Sequence, residues 1–220
     1  MNFLSEEKRW WKRGYKKVAC LDEAGRGPLA GPVVAAAVSI AIVNSKYHMP
    51  YTGIRDSKKL SQKQREKFYK YLTNDPNIKW GTGRVSEKVI DKINILEATK
   101  LAMKKALKSL KIKPDFLILD GNFKINSSIL QKPIVKADEK VFSCIAAGII
   151  AKVIRDRIMR RFHKKYPQYG FDRHKGYPTR FHRRMLKRYG RCVIHRNSFQ
   201  LKANFIDHGS SKTKTHKIKT

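Results

Sequence analysis

The fold is decided by the stretch Val18-Ala19-Cys20-Leu21-Asp22-Glu23-Ala24-Gly25-Arg26-Gly27-Pro28-Leu29-Ala30-Gly31-Pro32-Val33-Val34. An apolar run, Val18 to Leu21, leads into two adjacent carboxylates, and a second apolar run extends from Val33 to Val43. The length and composition of both runs predict strands, and the glycines and prolines between them predict a turn. Two acids at the end of a strand, beside an arginine and exposed N–H groups, suit the binding of a metal ion together with a phosphate.

Two other interpretations of this stretch are a solvated corner and a dinucleotide-binding turn. In a regular strand Asp22 and Glu23 would face opposite sides of the sheet, so both can serve one site only if the strand ends or bulges here. The following glycines allow that. A dinucleotide fingerprint is excluded because Gly31-Pro32 leaves no helix N-terminus for a pyrophosphate, and no Gly-Lys-Ser/Thr follows to complete a Walker motif.

The net charge indicates a polyanionic partner. The 220 residues include 50 Lys and Arg against 17 Asp and Glu, a formal charge of +33, and this excess favours nucleic acid over a membrane. A basic RNA-binding protein without enzymatic activity would show the same excess. Three cysteines without a Cys-x-x-Cys spacing fit a reducing cytoplasm, and no apolar stretch is long enough to span a bilayer. We therefore expect a soluble, cytoplasmic protein.

Two further apolar runs each lead toward an acid. Residues 116–119 form a run that is apolar on both faces, which predicts a central parallel strand with Asp120 at its carboxyl end, where the functional crevice of an α/β sheet lies. Residues 133–136 predict a last short strand, followed by Asp138 and a long helix to about residue 166. Taken alone, Asp138 is the N-cap of that helix.

The remaining pattern predicts a helix from Gln62 to Leu72 with Ser61 as its N-cap, a strand from Ile78 to Val85, and an amphipathic helix from Val89 to Leu110. Asp156, between two arginines, is interpreted as a salt-bridge residue.

The segment from Asp22 to Val33 resembles the signature of the type 2 ribonucleases H, most closely bacterial ribonuclease HII. Further blocks resemble the family in the same order: Asp-Ser-Lys-Lys-Leu-Ser at 56–61, Asn-Ile-Leu-Glu-Ala-Thr at 94–99, Asp138 with the helix through Arg-Asp at 155–156, Lys-Gly-Tyr-Pro-Thr at 175–179 and Ile-His-Arg-Asn-Ser-Phe at 194–199. The sequence departs from the family at Ala137, Gly148 and Pro178, where Gly, Ser and Gly are usual.

The resemblance implies an α/β fold in which a ribonuclease H-like mixed central sheet is flanked by helices and followed by a C-terminal helical lobe. The expected organisation is a basic N-terminal arm (1–16), a catalytic core (17–166), a helical substrate-binding lobe (167–207) and a disordered basic tail (208–220).

The resemblance also implies an endonuclease that hydrolyses the RNA strand of RNA–DNA hybrids, including on the 5′ side of single ribonucleotides embedded in DNA, to leave 5′-phosphate and 3′-hydroxyl ends. Asp22, Glu23, Asp120 and Asp138 would be the catalytic metal ligands. Such hard oxygen ligands suit Mg²⁺ or Mn²⁺, and two ions about 4 Å apart can activate a water and stabilise the leaving oxygen. Without metal, the clustered carboxylates should have raised pKa values.

Substrate contacts are implied for three groups of residues. Tyr177 would stack on the sugar next to the cut, and Gly25, Arg26 and Gly27 would meet the 2′-hydroxyl through backbone groups. The residues expected to hold phosphates are Arg26, Lys58, Lys59, Lys152 and Lys175.

We expect a monomer that binds nucleic acid and no membrane. The alternatives are a ribonuclease HIII-like hybrid nuclease and the non-enzymatic RNA-binding protein, which EDTA would not affect.

Overall fold

The computed structural model describes residues 4–41 and 60–200. A five-stranded mixed sheet has the order β3-β2-β1-β4-β5, and its strands are β1 (Val18–Ala24), β2 (Val33–Ile40), β3 (Ile78–Val85), β4 (Phe116–Asp120) and β5 (Leu130–Ile134). The helices are α1 (Ser5–Trp11), α2 (Gln62–Asn74), α3 (Glu87–Ser109), α4 (Ala137–Lys140), α5 (Phe142–Lys165), α6 (Phe171–His174) and α7 (Arg180–Tyr189). A mixed sheet flanked by helices and followed by a helical C-terminal part confirms the expected fold class.

Strand β1 lies at the centre of the sheet. It pairs antiparallel with β2 and parallel with β4, and β4 in turn pairs parallel with β5. Helix α3 packs with Leu21 and Ala35 on one face, while α5 packs with Ala36 and Val38 on the other. Alternate residues of the central strands therefore enter two separate apolar layers, which explains why these strands are apolar on both faces.

The expectation that β1 ends or bulges at its acids is wrong. The strand continues to Ala24, and Asp22 and Glu23 pair in regular register with Ala36 and Ala35 of β2. The parallel ladder with β4, by contrast, ends at Leu21. Asp22 and Glu23 are thus still paired with β2. On their other side, the pairing with β4 has ended at Leu21, so the sheet has a gap there.

The segment around Asp138 also differs from expectation. Strand β5 covers residues 130–134 rather than 133–136, and the expected single helix is divided into α4 and α5 at Val141, which has extended backbone angles. Asp138 lies inside α4, and the N-cap position is Lys136, which has a φ of 58°. Asp138 is therefore not an N-cap.

Several local predictions are confirmed. Ser61 caps α2 and forms a capping box with Gln64, β3 has the expected bounds, and Asp156 accepts a hydrogen bond from Lys152 at 2.8 Å. Helix α3 begins at Glu87 and contains a kink that the pattern did not predict. There Asn94 has a φ of 64°, and its side-chain oxygen accepts the N–H groups of Leu96 and Glu97, so the helix restarts with Asn94 as its cap.

The described part of the N-terminal arm packs on the core. Trp10 stacks on Phe116 with ring centroids 3.9 Å apart. The buried Glu7 carboxylate accepts hydrogen bonds from the backbone N–H and the hydroxyl of Ser143 at the start of α5, and burial raises its pKa. The domain bounds stay a prediction, and the proposed tail at 208–220 lies outside the described residues. In the ranges 4–41 and 60–200, none of the helices is both long enough and apolar enough to cross a membrane.

The close contact between α3 and β3 leads to a stability prediction. A Cβ atom at Gly83 would lie 2.1 Å from the carbonyl oxygen of Ala102, so Gly83→Ala must push α3 away from the sheet. We expect a loss of about 2–3 kcal/mol in the free energy of unfolding, measured by urea denaturation. The control is Arg84→Ala, an exposed position on the same strand, which should change stability by less than about 0.5 kcal/mol. Equal stability of the two variants would contradict this packing.

Candidate active site

Three carboxylates meet at the carboxyl end of the central strands. Asp22 in β1, Asp120 at the end of β4 and Asp138 in α4 each offer one oxygen, and these oxygens all lie within 4.8 Å of one another. The parallel pairing of β1 and β4 brings Asp22 and Asp120 to the same edge of the sheet, as the sequence predicted. Strand β5 runs parallel beside β4 and delivers α4, and with it Asp138, to that edge.

Backbone N–H groups orient two of these carboxylates. Asp22 Oδ1 accepts the N–H of Glu23 at 2.6 Å, and Asp120 Oδ1 accepts the N–H of Ala137 at 2.8 Å. The second bond also connects the end of β4 to the first residue of α4, which places Asp138 beside Asp120. Each bond fixes the position of one oxygen of its carboxylate.

Glu23 joins the site from the other face of the sheet. It is not part of the three-carboxylate group, because strand alternation directs it to the α3 side, yet its side chain lines the same cleft. Its Oε1 lies 3.4 Å from Arg26 Nη1. Its Oε2 is buried and accepts no hydrogen bond from the described residues, so it is free to bind a cation. Because Glu23 lies beyond the last pairing of β1 with β4, its side chain lines the cleft without a bulge in the strand.

Burial and mutual repulsion raise the pKa values of the two β1 acids. Desolvation raises the pKa of Asp22 well above its ordinary range, and the charges of Glu23 and Asp120 raise it further. Desolvation raises the pKa of Glu23 to about 7, against the lowering effect of Arg26. These directions confirm the expectation of raised values for Asp22 and Glu23.

The donor set fits a hard divalent cation. Within the described part of the chain, Asp22, Asp120 and Asp138 form the one cluster of three or more acidic, histidine or cysteine ligands that could hold a metal, and all its donors are carboxylate oxygens. Mg²⁺ and Mn²⁺ prefer such donors, and a buried group of acids that repel one another is relieved by a cation. The site therefore fits the metal dependence that the resemblance implies.

A cleft of about 430 Å³ opens above the carboxylates. Besides the four acids, its lining contains most of the predicted substrate-binding residues, namely Gly25, Arg26, Gly27, Lys152 and Tyr177. It also contains Gly148 from α5 and Arg65 from α2, and the sequence had not assigned Arg65 to the site.

Of the predicted phosphate-binding lysines, Lys175 does not line the cleft. Lys58 and Lys59 lie outside the described residues. Lys175 is 7% exposed, its ammonium group donates to the carbonyl of Asp172, and burial lowers its pKa. Its role in binding substrate stays a prediction.

Gly148 lies directly behind Asp22. A Cβ atom at this position would be 2.3 Å from Asp22 Oδ2, so the Asp22 carboxylate occupies the space that a side chain would need. Glycine at position 148 therefore offers no side-chain hydroxyl, and its lack of a Cβ leaves room for the Asp22 carboxylate. A larger residue at 148 would force Asp22 into another position.

Two buried arginines hold the turn after β1 by its carbonyl oxygens. Arg196 donates to Gly25, Arg26 and Gly31 over distances of 2.6–3.0 Å. Burial lowers its pKa to about 9.

Arg155 of α5 donates to Ala30, Pro32 and Lys175 over 3.0–3.2 Å, and burial lowers its pKa as well. A Cβ atom at Gly25, whose φ is +102°, would collide with the Arg155 side chain. The turn therefore requires both the glycine and the arginines.

Tyr177 stands beside this turn. It is 42% exposed, and its ring centroid is 5.8 Å from Lys152 Nζ and 5.9 Å from Arg155 Cζ. Its Cε1 atom lies 3.7 Å from where a Cβ at Gly27 would be, so ring and turn share one wall of the cleft. An exposed ring flanked by cations suits stacking on a nucleotide.

A buried histidine pair supports Tyr177 from behind. Nε2 of His182 and Nε2 of His195 are 3.1 Å apart, and His182 Nδ1 lies 3.0 Å from the carbonyl oxygen of Tyr177. Burial lowers the pKa of both imidazoles to about 4, so both are neutral at neutral pH. Since the N–H of Cys192 donates to His195 Nδ1, the consistent arrangement has His195 donating to His182 and His182 donating to the Tyr177 carbonyl.

Comparison with known proteins extends these observations. A family model described as Ribonuclease HII matches residues 19–202. A Ribonuclease HII of Acetivibrio thermocellus is 54% identical over 200 residues, which are 91% of this chain and 75% of the relative. The structure of ribonuclease H2 from Pyrococcus horikoshii OT3 is similar with a TM-score of 0.66 at 32% identity, over 84% of this chain and 94% of that one. RNase HII from Archaeoglobus fulgidus, solved as a complex with PCNA, has a TM-score of 0.71 at 27% identity, over 87% and 98%.

The raised pKa of Glu23 makes metal stabilisation pH-dependent. Because its folded-state pKa of about 7 exceeds its ordinary value of 4.5, protonated Glu23 stabilises the fold at low pH, and this contribution is lost as the pH rises from about 4.5 through 7. Divalent cations bind the ionised form, so Mg²⁺ or Mn²⁺ at matched ionic strength should raise the Tm more at about pH 8 than at about pH 5.5.

Differential scanning fluorimetry measures this shift. Asp138→Asn, which removes one ligand charge, should reduce it. An equal shift at both pH values, or an undiminished shift in the variant, would contradict metal binding at this cluster.

Proposed function

The chain belongs to the ribonuclease HII family and is a ribonuclease H endonuclease, and from this premise we propose that it cuts the RNA strand of RNA–DNA hybrids and the 5′ side of single ribonucleotides embedded in DNA. The products would carry 5′-phosphate and 3′-hydroxyl ends. The observation that carries this proposal is the acidic cluster at one end of a cleft whose adjoining wall is formed by the Gly25–Gly27 turn and Tyr177. Reacting phosphate and ribose can then be recognised side by side.

The proposed metal ligands are Asp22, Asp120 and Asp138, with Glu23 as the fourth carboxylate. When bound there, two Mg²⁺ or Mn²⁺ ions would supply an activated water and stabilise the charge on the leaving oxygen. The carboxylates contribute by holding fixed positions, which the N–H groups of Glu23 and Ala137 enforce. This preorganisation lets the site stabilise developing charge without rearranging.

Cationic side chains around the cleft would hold the nucleic acid backbone. Arg26, Arg65 and Lys152 all line it, and Lys152 is partly oriented by its bond to Asp156. Their contacts with phosphates would release counterions, so affinity should fall as salt rises. The peptide groups of the turn would meet the 2′-hydroxyl, and Tyr177 would stack on the neighbouring sugar.

The two alternative functions fit these observations less well. A basic RNA-binding protein without enzymatic activity would account for the net positive charge. It would not account for three carboxylate oxygens that lie within 4.8 Å of one another. A ribonuclease HIII-like preference for longer RNA tracts is disfavoured because the family model that matches is that of ribonuclease HII. We also propose that the protein acts as a cytoplasmic monomer, which its three free cysteines are compatible with.

The acidic cluster is tested by removing single charges without changing side-chain size. Asp22→Asn and Asp138→Asn should each lower the rate of cleavage of a duplex with one ribonucleotide by at least about 1000-fold, because metal binding and charge stabilisation fail together. Affinity for the uncut duplex should stay within about threefold of wild type, because phosphates are held elsewhere in the cleft.

The matched control is Glu139→Gln, since Glu139 adjoins Asp138 in α4 but is exposed. It should cleave at the wild-type rate. Normal cleavage by either Asp variant would remove that residue from the mechanism.

Loss of the Tyr177 ring should weaken productive binding. Tyr177→Ala is expected to lower kcat/KM for the single-ribonucleotide duplex by about 10- to 100-fold, the range expected for one stacking contact, while Tyr177→Phe should retain most activity. Steady-state cleavage kinetics measure both. Tyr189→Ala serves as the control because Tyr189 is a similarly exposed tyrosine, at 49%, outside the cleft. Equal effects at Tyr177 and Tyr189 would argue against stacking.

A further inference from the structure

Arg196 makes an unusual set of contacts with the turn after β1. It is 1% exposed, and in the described part of the chain it forms no ion pair with a carboxylate. Its guanidinium instead donates to the carbonyl oxygens of Gly25, Arg26 and Gly31, at 2.6 Å, 2.8 Å and 2.9 Å for the shortest contact to each. Its own backbone N–H donates to Leu29. All these acceptors are backbone carbonyls of one short turn.

These contacts determine which way two peptide groups face. In a planar trans peptide the carbonyl oxygen of one residue and the N–H of the next point in opposite directions, and no cis peptide occurs in the described chain. With the carbonyls of Gly25 and Arg26 turned toward Arg196, the N–H groups of Arg26 and Gly27 must point away from it. Both residues line the cleft, which Arg196 does not.

Those two N–H groups are available to a ligand. Among residues 4–41 and 60–200, no group accepts a hydrogen bond from the N–H of Arg26 or Gly27. Two adjacent donors that project from a fixed turn form a small concave site for an oxygen atom. The turn is beside Tyr177, the proposed stacking residue for the nucleotide at the cut. In the proposed complex, the oxygen that these two donors would meet is the 2′-hydroxyl of the ribonucleotide.

We propose that Arg196 is a positioning residue for sugar selectivity: by holding the carbonyls of Gly25 and Arg26, it directs the N–H groups of Arg26 and Gly27 at the 2′-oxygen. This inference rests on the proposed function and deepens it, since it concerns how the same site distinguishes RNA from DNA. Arg196 does not touch the substrate itself. It acts through the turn.

Arginine is suited to this task because its planar guanidinium offers five donors in a rigid fork, whereas a lysine ammonium is a compact, strongly hydrated charge on a flexible chain. Arg196→Lys would therefore keep the positive charge but could not hold three carbonyls of the turn in one geometry. The peptide groups of Gly25 and Arg26 would then rotate more freely. Selectivity for the 2′-hydroxyl should suffer more than binding to phosphates.

The test compares three otherwise identical duplexes with a ribonucleotide, a 2′-deoxynucleotide or a 2′-fluoro-2′-deoxynucleotide at one position. KM and kcat are measured for the first duplex, and the other two are used as competitive inhibitors, so that the ratio of Ki to KM reports selectivity for the hydroxyl. We expect Arg196→Lys to lower this ratio at least about tenfold relative to wild type, while Ki for the deoxy duplex changes little.

Arg157→Lys is the matched control, because Arg157 lies on α5 and pairs with Glu66 of α2 rather than with the turn. It should leave the ratio unchanged. If Arg196→Lys leaves the ratio unchanged, or if KM and both Ki values rise by the same factor, the inference is overturned and Arg196 is structural only.

Arg196→Gln, which is neutral and retains two donors, provides a second variant if the lysine variant does not fold. It should lower the ratio in the same direction, and an unchanged ratio in a folded variant would again overturn the inference. Failure of the proposed function is seen separately. Wild-type protein would then not cut the ribonucleotide duplex at all.

Discussion

The arrangement of the cleft depends on two guanidinium groups buried against backbone carbonyls. Arg155 and Arg196 together hold the carbonyl oxygens of Gly25, Arg26, Ala30, Gly31, Pro32 and Lys175. Moving two cations out of water is costly, and each lost contact would leave a buried donor unpaired. The hydrogen bonds offset that cost only when the turn keeps this one conformation. The arginines therefore link the end of β1, helix α5 and the segment that carries Tyr177.

The sheet places the acids where the arginines hold the turn. Strand β1 continues three residues beyond its last pairing with β4, and β4 itself ends in Asp120, so carboxylates from adjacent parallel strands meet at an open edge. In a chain of net charge +33, this is a small region of concentrated negative charge inside a cationic surface. Such a contrast would attract a polyanion to the cleft as a whole and favour divalent cations at the carboxylates.

The sequence predicted the parts of this arrangement that follow from local pattern. The run that is apolar on both faces and ends in Asp120 indicates a central strand of the sheet. The glycine-rich turn requires positive φ values wherever it is placed. The resemblance to ribonuclease HII added Asp138, which local pattern alone made an N-cap. Glu23 was correctly placed at the site, but the expected bulge was wrong, because strict strand alternation describes the interior of a sheet and Glu23 lies beyond the pairing with β4.

Arg155 and Arg196 were not identified because nothing in the local sequence distinguishes a buried arginine from an exposed one. Their partners are carbonyl groups, and carbonyls leave no signature in the sequence.

We propose that the acidic cluster and the arginine-held turn act together in metal-dependent cleavage of the strand next to a ribose. The most direct measurement is end-group and position analysis of the products from a DNA duplex with one internal ribonucleotide, with Mg²⁺ or Mn²⁺ and with EDTA. We expect a single cut on the 5′ side of the ribonucleotide, with a 3′-hydroxyl on one fragment and a 5′-phosphate on the other, and no cut in EDTA. Cleavage that persists in EDTA, or a cut on the 3′ side of the ribonucleotide, would contradict it.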